Sequence, residues 1–587
     1  MVEINPKEQI HEAVSADSSE PASPNNGEVT EKHQFNDQTN YLPVARVIAI
    51  FIVCGTIDFI TLMDQTTLAA SLSIVSSSLG AGSQVAWIAG GFFITSTSLQ
   101  LLYGRLSDIW SRKSVLLIGF AFFFFGSLAS SLATNVNQLI AFRALTGVGG
   151  GGLMSIAQTI VSDVVTLRER GKYQGIFGVF VALGNGLGPV IGGALAVHSW
   201  RWIFRLNLPL TAITVLGVIW FMPLKKVEGD WKKKVKAVDF LGAFLALAGS
   251  TLIVLALTWA GGEKLWNSAA VIATLVLGFV TCAAFVLWQW KGTSFPLVPV
   301  YIFKNKVVCG ASICHCINGW NFVTQVYYIP TFYQLVYGYS AIKSGALLLP
   351  ITLTQTLFST LSGLVVHKTG RYRESILLGW VVWAVGLGLF STLDEHSGLG
   401  KQIGYAILTG FGVGQTLQPS LIAMQAGVPR KDMAIATCFR TFIRNFGATL
   451  GLAVAGTILN NQLRSVLSSY PGIDHNDIQW LINNPGAVMS GSTLLPGATS
   501  PVNLKSVFLD AYKRGFRVIF IVGAALSAFG FFSALVLLPQ ISLDRKDDVK
   551  LKEEGKKYDE ELKRKREVKS GQTELEAKAE PIESVPV

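Results

Sequence analysis

The chain has 587 residues, of which 50% are hydrophobic and only 14% are charged, and its mean hydropathy is +0.45. Apolar stretches of about 18 residues or more recur almost from end to end, which excludes an ordinary soluble globular protein and indicates one that crosses a membrane many times. The net charge of +11 does not indicate nucleic-acid binding, because Lys and Arg concentrate in alternate loops between the apolar stretches.

The two ends of the chain are polar. Residues 1–43 are rich in Ser, Pro, Asn and Glu and contain no apolar signal-peptide core, so we expect a disordered cytosolic tail. Residues 541–587 are densely charged, and we expect a second cytosolic tail there.

Between the tails the sequence predicts an all-α membrane protein with fourteen spans. We expect a six-span bundle at 44–222, two inserted spans within 223–300, and a second six-span bundle at 301–540 that includes an extracytoplasmic loop at 460–515. The approximate spans are 44–70, 85–104, 114–133, 138–162, 173–197, 202–222, 239–260, 269–290, 308–334, 344–366, 374–393, 402–425, 433–459 and 516–538.

The distribution of basic residues predicts the orientation. With both termini in the cytosol, the cytosolic loops carry 20 Lys and Arg residues, and the short loops on the opposite side carry four. Short loops rich in Lys and Arg stay on the cytosolic side. We therefore expect a multi-pass protein with both termini inside. Separately, we expect it to function as a monomer.

Two acidic residues and one arginine fall inside predicted spans. Asp58 and Asp64 lie in span one and Arg143 lies in span four. An ionised group at membrane depth is costly and usually faces a cavity or a partner, so such residues are functional candidates. We predict Asp64 as the first candidate for proton coupling or cation recognition and Asp58 as the second. Because Asp64 stands near the end of span one, it could instead be a boundary residue.

Two further clusters of polar residues occur in the second half. Arg440 and Arg444 are one helical turn apart in span thirteen, and we interpret them as structural or gating residues, with substrate contact as the alternative. Spans nine and twelve are unusually polar, and we predict that they line a substrate cavity, with helix–helix hydrogen bonding as the alternative. The substrate-cavity candidates are His315, Asn318, Asn321, Gln325, Tyr328, Gln415 and Gln418.

Residues 175–193, GIFGVFVALGNGLGPVIGG, are rich in glycine within an apolar run. A soluble helix avoids Gly and Pro in its interior, but in a membrane small residues let two helices approach closely. We expect the glycine face of this segment, the fifth predicted span, to contact span ten of the second bundle. The residues of interest are Gly175, Gly184, Gly188, Pro189, Gly192 and Gly193.

The loop between spans two and three carries an acid and two bases in a tight turn. Such a cluster can latch one conformation and release it when protonation changes, whereas the alternative is that these residues only fix the topology. The predicted cytosolic gate consists of Gly104, Asp108, Arg112 and Lys113.

No motif indicates an enzyme, a cofactor or a metal. The glycines at 147–152 follow a membrane span and not a strand, so they are not a dinucleotide loop, and no nucleotide-binding loop is present. The six cysteines lie in apolar runs, and the pair Cys314 and Cys316 lacks the other ligands of a metal site. The driving energy must therefore come from an ion gradient or from the substrate's own gradient.

Three motifs, in order and in the right spans, resemble the major facilitator superfamily and, within it, the fourteen-span drug:H⁺ antiporter branch of fungi. They are the Gly-x-Leu-Ser-Asp-x-x-x-Arg-Lys loop at 104–113, the span-four segment 139–149, and the Gly-Pro-x-x-Gly-Gly motif ending at Gly193. The loop departs from the family at Ser111, where glycine is usual. Weaker similarities are the segments 62–67 and 200–209.

The resemblance implies an exporter of small organic molecules that exchanges them for protons by alternating access. It implies that Arg143 senses the protonation of a span-one acid. Small-molecule substrates, protons and the lipid bilayer are the expected partners, without nucleic acid, and the plasma membrane is the expected location. The alternatives are a vacuolar transporter of basic amino acids, a dedicated exporter of one secondary metabolite, siderophore or glycolipid, and a non-transporting nutrient receptor.

Overall fold

The fold is that of a computed structural model, which describes residues 44–80, 85–165, 170–222, 238–260, 264, 266–429, 432–469 and 504–543. Within these ranges the regular elements are helices, and no β-strand occurs. The predicted N-terminal tail at 1–43, the C-terminal tail from 544 onward and residues 470–503 of the predicted long loop lie outside the described residues.

The first half of the chain forms seven helices, of which a short one and its successor together make the sixth predicted span. They are α1 Val44–Leu79, α2 Val85–Ile109, α3 Arg112–Leu132, α4 Val136–Val164, α5 Arg170–His198, α6 Arg201–Arg205 and α7 Asn207–Phe221. The inserted spans are α8 Phe240–Trp259 and α9 Ala269–Leu287.

The second half forms α10 to α16. These helices are α10 Lys306–Val336, α11 Ala341–Ala346, α12 Leu349–Thr369, α13 Arg373–Phe390, α14 Leu399–Ala426, α15 Met433–Ser468 and α16 Leu504–Leu537. A short π-helix, Trp288–Gly292, and a short 3-10 helix, Val300–Lys304, stand between α9 and α10.

Each of the fourteen predicted spans coincides with one helix or with a short helix and its successor. Among the described residues, eleven helical stretches are long and apolar enough to cross a membrane. The other three predicted spans coincide with α2, α10 and α14, which carry Ser, Thr, Asn, Gln or His in their middle turns. Helices suit this environment because they satisfy their backbone hydrogen bonds internally.

Side-chain caps fix where several helices begin. Asn135 accepts a hydrogen bond from the backbone N–H of Gln138 at 2.9 Å at the start of α4, and Asp239 accepts one from Gly242 at 2.8 Å at the start of α8. Each cap satisfies a backbone donor that the first helical turn leaves unpaired.

The helices pack as two bundles with the inserted pair at their side. In the first bundle α1 packs on α5, and α4 packs on α2 and α3; in the second, α10 packs on α15, and α14 packs on α12 and α13. The bundles meet where α5 contacts α12 and where α15 contacts α2 and α4. Helix α8 packs on both α2 and α15, and α9 packs on α8.

Candidate functional site

A buried ion pair joins α1 to α4 in the centre of the first bundle. Nη1 of Arg143 lies 2.7 Å from Oδ2 of Asp64, and Nδ2 of Asn207 donates to the other carboxylate oxygen at 2.7 Å. Asp64 is 0% exposed and Arg143 is 1% exposed. The Phe92 ring lies 4.7 Å from the guanidinium carbon. A buried carboxylate at this depth needs such partners, and Asp64 receives two donors from two different helices.

Asp58 has a different environment from Asp64. It lines a central cavity of about 100 Å³ between the two bundles and is 3% exposed. Its Oδ2 accepts a hydrogen bond from Nε2 of Gln158 at 3.1 Å, and its Oδ1 has no partner among the described residues. The two span-one acids therefore separate into one that is fully paired and one that faces the cavity.

The opposite wall of the central cavity comes from the second bundle. Arg440 and Arg444 of α15 line it, together with Gln355 of α12 and Gln418 of α14. Nε of Arg444 donates to Oδ1 of Asn318 at 3.0 Å, and its guanidinium lies 5.5 Å from the Phe322 ring centre. Sequence reasoning assigned the two arginines a structural or gating role, yet both side chains border the cavity.

A second, larger cavity of about 360 Å³ lies between α1, α2, α8, α10 and α15. Its described lining contains no charged residue, and its aromatic side chains are Phe93, Tyr327 and Tyr328. Val254 of the inserted helix α8 is part of the wall. This cavity suits an apolar or aromatic group.

The remaining substrate-cavity candidates have helix-packing contacts. Nδ2 of Asn321 donates to the Gly523 carbonyl and to the Ser527 hydroxyl of α16, and Gln325 donates to the Asn321 carbonyl. Asn318 also donates to Thr416 at 3.1 Å, so it holds Arg444 in place. His315 is fully buried and Gln415 packs beside Gly379 of α13. Asn318 and Asn321 therefore bond to α14, α15 and α16 and do not line one cavity together.

At the predicted cytosolic end, the gate residues Arg112 and Lys113 bond to other helices of the first bundle. Nε of Arg112 pairs with Asp163 at the end of α4 at 2.9 Å, and its Nη1 donates to Ser107 at 2.6 Å. Lys113 donates to the Ile219 carbonyl at 2.8 Å. The backbone of Asp108 lies in α2, and its side chain is outside the described part.

The same end holds the contact between α2, α4 and α15. A Cβ added at Gly104 would come within 2.8 Å of Cys438 Cβ, so only glycine fits there without a shift. The hydroxyl of Thr159 lies 3.4 Å from Cys438 Sγ. Tyr301, in the linker before α10, donates to Asp432 at 2.8 Å, and burial together with this acceptor raises the pKa of Tyr301. The phenol therefore stays protonated and ties the linker to the start of α15.

The glycines of α5 face α1. A Cβ at Gly192 would lie 2.6 Å from Thr67 Cα, and one at Gly188 would overlap the Thr66 hydroxyl. That hydroxyl donates to the Gly184 carbonyl at 3.0 Å. Gly193 has open space around it, and the side-chain surroundings of Gly175 are outside the described part.

Another part of α5 meets the second bundle. Pro189 packs against Gly345 before α12, and Gly178 lies beside Thr356. Span five thus contacts span ten as the sequence predicts, but the glycines at 184, 188 and 192 pack within the first bundle and not at the bundle interface.

Comparison with known proteins decides the family. Residues 55–452 match the family model described as Major Facilitator Superfamily. The chain belongs to the Major Facilitator Superfamily. The MFS-type efflux pump LUC4 of a Fusarium species is 30% identical over 524 residues, covering 88% of this chain and 89% of the pump. Citrate exporter 1 of Yarrowia lipolytica is 31% identical over 525 residues, covering 87% of this chain and 77% of the exporter.

Efflux pump FUS6 of Gibberella fujikuroi is 31% identical over 493 residues, covering 83% of this chain and 88% of the pump. These relatives confirm the predicted fungal efflux branch, so this member of the superfamily is a multi-pass membrane transporter that exports small organic molecules.

Solved structures of the superfamily share its fold. The human organic anion transporter MFSD10 superposes with a TM-score of 0.53 at 14% identity, over 84% of this chain and all of that one. An inward-facing bacterial homologue of the human lysosomal transporter Spinster superposes with a TM-score of 0.54 at 12% identity. The match covers 85% of this chain and 98% of that one. The prediction of two helical bundles is confirmed, and at such identities the likeness concerns the fold alone.

Several residues of this superfamily member escaped sequence reasoning. Asn207 and Asp163 are the partners of Asp64 and Arg112, and Gln158 is the partner of Asp58. Each is a single polar residue within or beside an apolar helix, which is the signal that could have found it. Their partners lie on other helices, so spacing along the chain does not reveal the pairing.

Proposed function

We propose that this transporter exchanges its exported substrate for protons by alternating access. The observation that supports the proposal is the buried pair of Asp64 and Arg143, which Asn207 completes. A proton on Asp64 removes the charge that balances Arg143, whereas an arginine does not lose its own proton. Proton binding at one atom then changes the favoured arrangement of α1 and α4.

The magnitude of this effect suits a switch. Leaving one partner of a buried ion pair alone costs about 3–5 kcal/mol. Shifting a two-state equilibrium from 1:99 to 99:1 takes about 5.5 kcal/mol. One protonation event at Asp64 is therefore of the right size to bias the two bundle arrangements.

The contacts between the bundles supply two places for the gates. At the predicted cytosolic end, Cys438 of α15 touches α2 and α4. Elsewhere α5 meets α12 through Gly178 and α11 through Pro189. We infer that the bundles rock so that these contacts open in turn, and that Arg112 with Asp163 stabilises the closed cytosolic gate.

We further propose that both termini lie in the cytosol, that the monomer is the functional unit, and that the plasma membrane is its location. The excess of basic residues in one set of loops supports this orientation. The domain bounds at 44–222, 223–300 and 301–540 belong to the same proposal. Imaging a tagged copy separates the plasma membrane from the vacuolar membrane.

Transport by purified full-length protein in proteoliposomes tests the coupling. Deletion of the gene, with growth on a panel of toxic organic compounds and amino acids, first identifies a transported compound. We expect an imposed pH gradient to drive its uptake into the vesicles, and D64N to abolish that uptake when equal amounts of folded protein are reconstituted. Undiminished gradient-driven uptake by D64N would remove Asp64 from the mechanism, and wild-type uptake that ignores the gradient would refute exchange for protons.

A further inference from the structure

Opposite charges line facing walls of the central cavity. Asp58 of α1 stands on the wall of the first bundle, and Arg440 and Arg444 of α15 stand on the wall of the second. Among the described residues, neither guanidinium forms an ion pair with a carboxylate. Charges that share a cavity without touching leave a gap that a polar molecule can bridge.

Unused hydrogen-bonding atoms surround this gap. In the described part of the chain, Oδ1 of Asp58, Nε of Arg440 and Oε1 of Gln355 are buried without a partner. These side chains are 3%, 6% and 3% exposed. A buried polar atom without a partner costs roughly 1–3 kcal/mol, and natural proteins contain few of them. A ligand that offers donors to Asp58 and Gln355 and an acceptor to Arg440 satisfies all three atoms.

Contacts with α10 hold Arg444 in place as a binding fork. A Cβ on Gly319 of α10 would clash with the Arg444 carbonyl, and one on Gly447 would clash with the Cys316 carbonyl, so α10 and α15 are in backbone contact. Asn318 fixes Nε of Arg444 and leaves its two terminal nitrogens free of that contact. Planar guanidinium groups bind carboxylates through two parallel hydrogen bonds.

We propose that Arg440 and Arg444 bind an acidic group of the substrate while Asp58 receives a hydrogen-bond donor or amine at the substrate's other end. The exported compounds are then small organic acids that also carry an amino or hydroxyl group. This inference rests on the proposed function and names its substrate class. The larger cavity does not provide charge recognition, because no charged residue is among its described lining.

The facing charges also fit an exchange for protons. Two positive groups against one negative group leave the cavity with a net positive charge, which favours an acid over a simple amine. A proton on Asp58 removes the negative charge that pairs with the amine, so substrate and proton compete there. The other titratable groups nearby are Cys54, one turn earlier on α1, and His315, buried on α10 beside the arginines.

Binding of a defined probe series tests the proposal. The probes are unbranched ω-amino acids of two to six carbons, with the alkyl acid and the alkyl amine of each length as controls, titrated calorimetrically into the purified full-length protein. We expect one chain length to bind about tenfold or more tightly than both of its controls, the factor of one charge-assisted hydrogen bond. R440Q and D58N should each abolish that preference.

Two variants keep the result interpretable. R517Q changes an exposed arginine of α16 outside the cavity and should bind like the wild type. R440K retains the charge without the planar fork and should bind the preferred probe with intermediate affinity. Thermal unfolding of each variant shows that it is folded before it is titrated.

The outcomes also separate this inference from the proposed function. Equal or tighter binding of the alkyl amines, or no binding by any probe, would overturn the assignment of the arginines. If the preferred probe binds as expected but an imposed pH gradient does not drive its uptake, proton exchange fails and the substrate class stands. If uptake is gradient-driven and unaffected by R440Q, the substrate class fails and the exchange stands.

Discussion

Nη1 of Arg143 and Oδ2 of Asp64 are 2.7 Å apart and form the one ion pair among the described residues in which both side chains are at most 1% exposed. The pair lies on α1 and α4, two helices of the same bundle. Its members differ in chemistry, because a carboxylate accepts a proton readily and a guanidinium does not release one. Proton transfer can therefore break the pair only at Asp64.

That asymmetry predicts unequal effects of the two neutral substitutions. D64N leaves Arg143 charged and unpaired, and we expect the free energy of unfolding to fall by about 3–5 kcal/mol. R143Q leaves a carboxyl that can take up a proton, so we expect this variant to lose less of its free energy of unfolding. Unfolding of each purified variant in denaturing detergent measures its free energy of unfolding.

The double substitution D64N/R143Q serves as the control for this pair. It removes both charges, so stability should recover toward the wild type while gradient-driven transport remains absent. A double variant as unstable as D64N would show that the ion pair is not the source of the loss.

The glycine face of α5 gives a second prediction. A side chain at Gly192 would meet the backbone of Thr67, with its Cβ 2.6 Å from Cα, whereas nothing lies within 4 Å of a Cβ at Gly193. We expect G192V to abolish transport and to lower the free energy of unfolding by about 1–3 kcal/mol or more, because α1 and α5 must separate. G193V should transport normally. If G192V and G193V lost transport equally, glycine would be needed here for a reason other than packing on α1.

The sequence predicts the fold well because hydropathy and the loop charges act locally. Each predicted span coincides with helical structure, and even the polar helix α10 is found at its predicted place. The candidate site is predicted only in part. Asp64 and Arg143 are conspicuous because charges inside apolar runs are costly anywhere in a membrane. Their partner Asn207 is an ordinary polar residue until the break between α6 and α7 places it beside them.

Residues of α10 show why the roles of side chains are harder to predict than the positions of helices. Helical spacing places Asn318, Asn321 and Gln325 near one another. Asn318 and Asn321 nevertheless bond to three different helices, α14, α15 and α16, while Gln325 bonds to the backbone of α10 itself. Conversely, Arg440 and Asp58 face one cavity although they belong to different bundles. Such juxtapositions depend on how the bundles pack, which no local pattern encodes.

The attachment of the inserted pair to the two bundles gives a third prediction. The hydroxyls of Ser98 on α2 and Ser250 on α8 are 2.6 Å apart and buried. One of the two hydroxyls donates to the other. Each can donate instead to a carbonyl of its own helix, Ile94 for Ser98 and Ala246 for Ser250, so neither is left unpaired when the other is removed. We therefore expect a double-mutant cycle of S98A and S250A to give a coupling energy of only about 0.6 kcal/mol, the average in a membrane protein. A coupling energy of several kcal/mol would contradict this account.

The contact of Thr159 with Cys438 gives a fourth prediction, because it joins α4 of the first bundle to α15 of the second. With Oγ1 only 3.4 Å from Sγ, the variant T159C should form a disulfide with Cys438 under mild oxidation, as the short bridge between two cysteine side chains requires. The bundles cannot then separate at this end, so transport should stop on oxidation and return with a thiol reductant. Mass spectrometry of the linked peptides confirms the bond, and T159C/C438A, which lacks the second thiol, should transport under both conditions. Full transport by the cross-linked protein would show that α4 and α15 stay together throughout the cycle, and the gate would have to lie elsewhere.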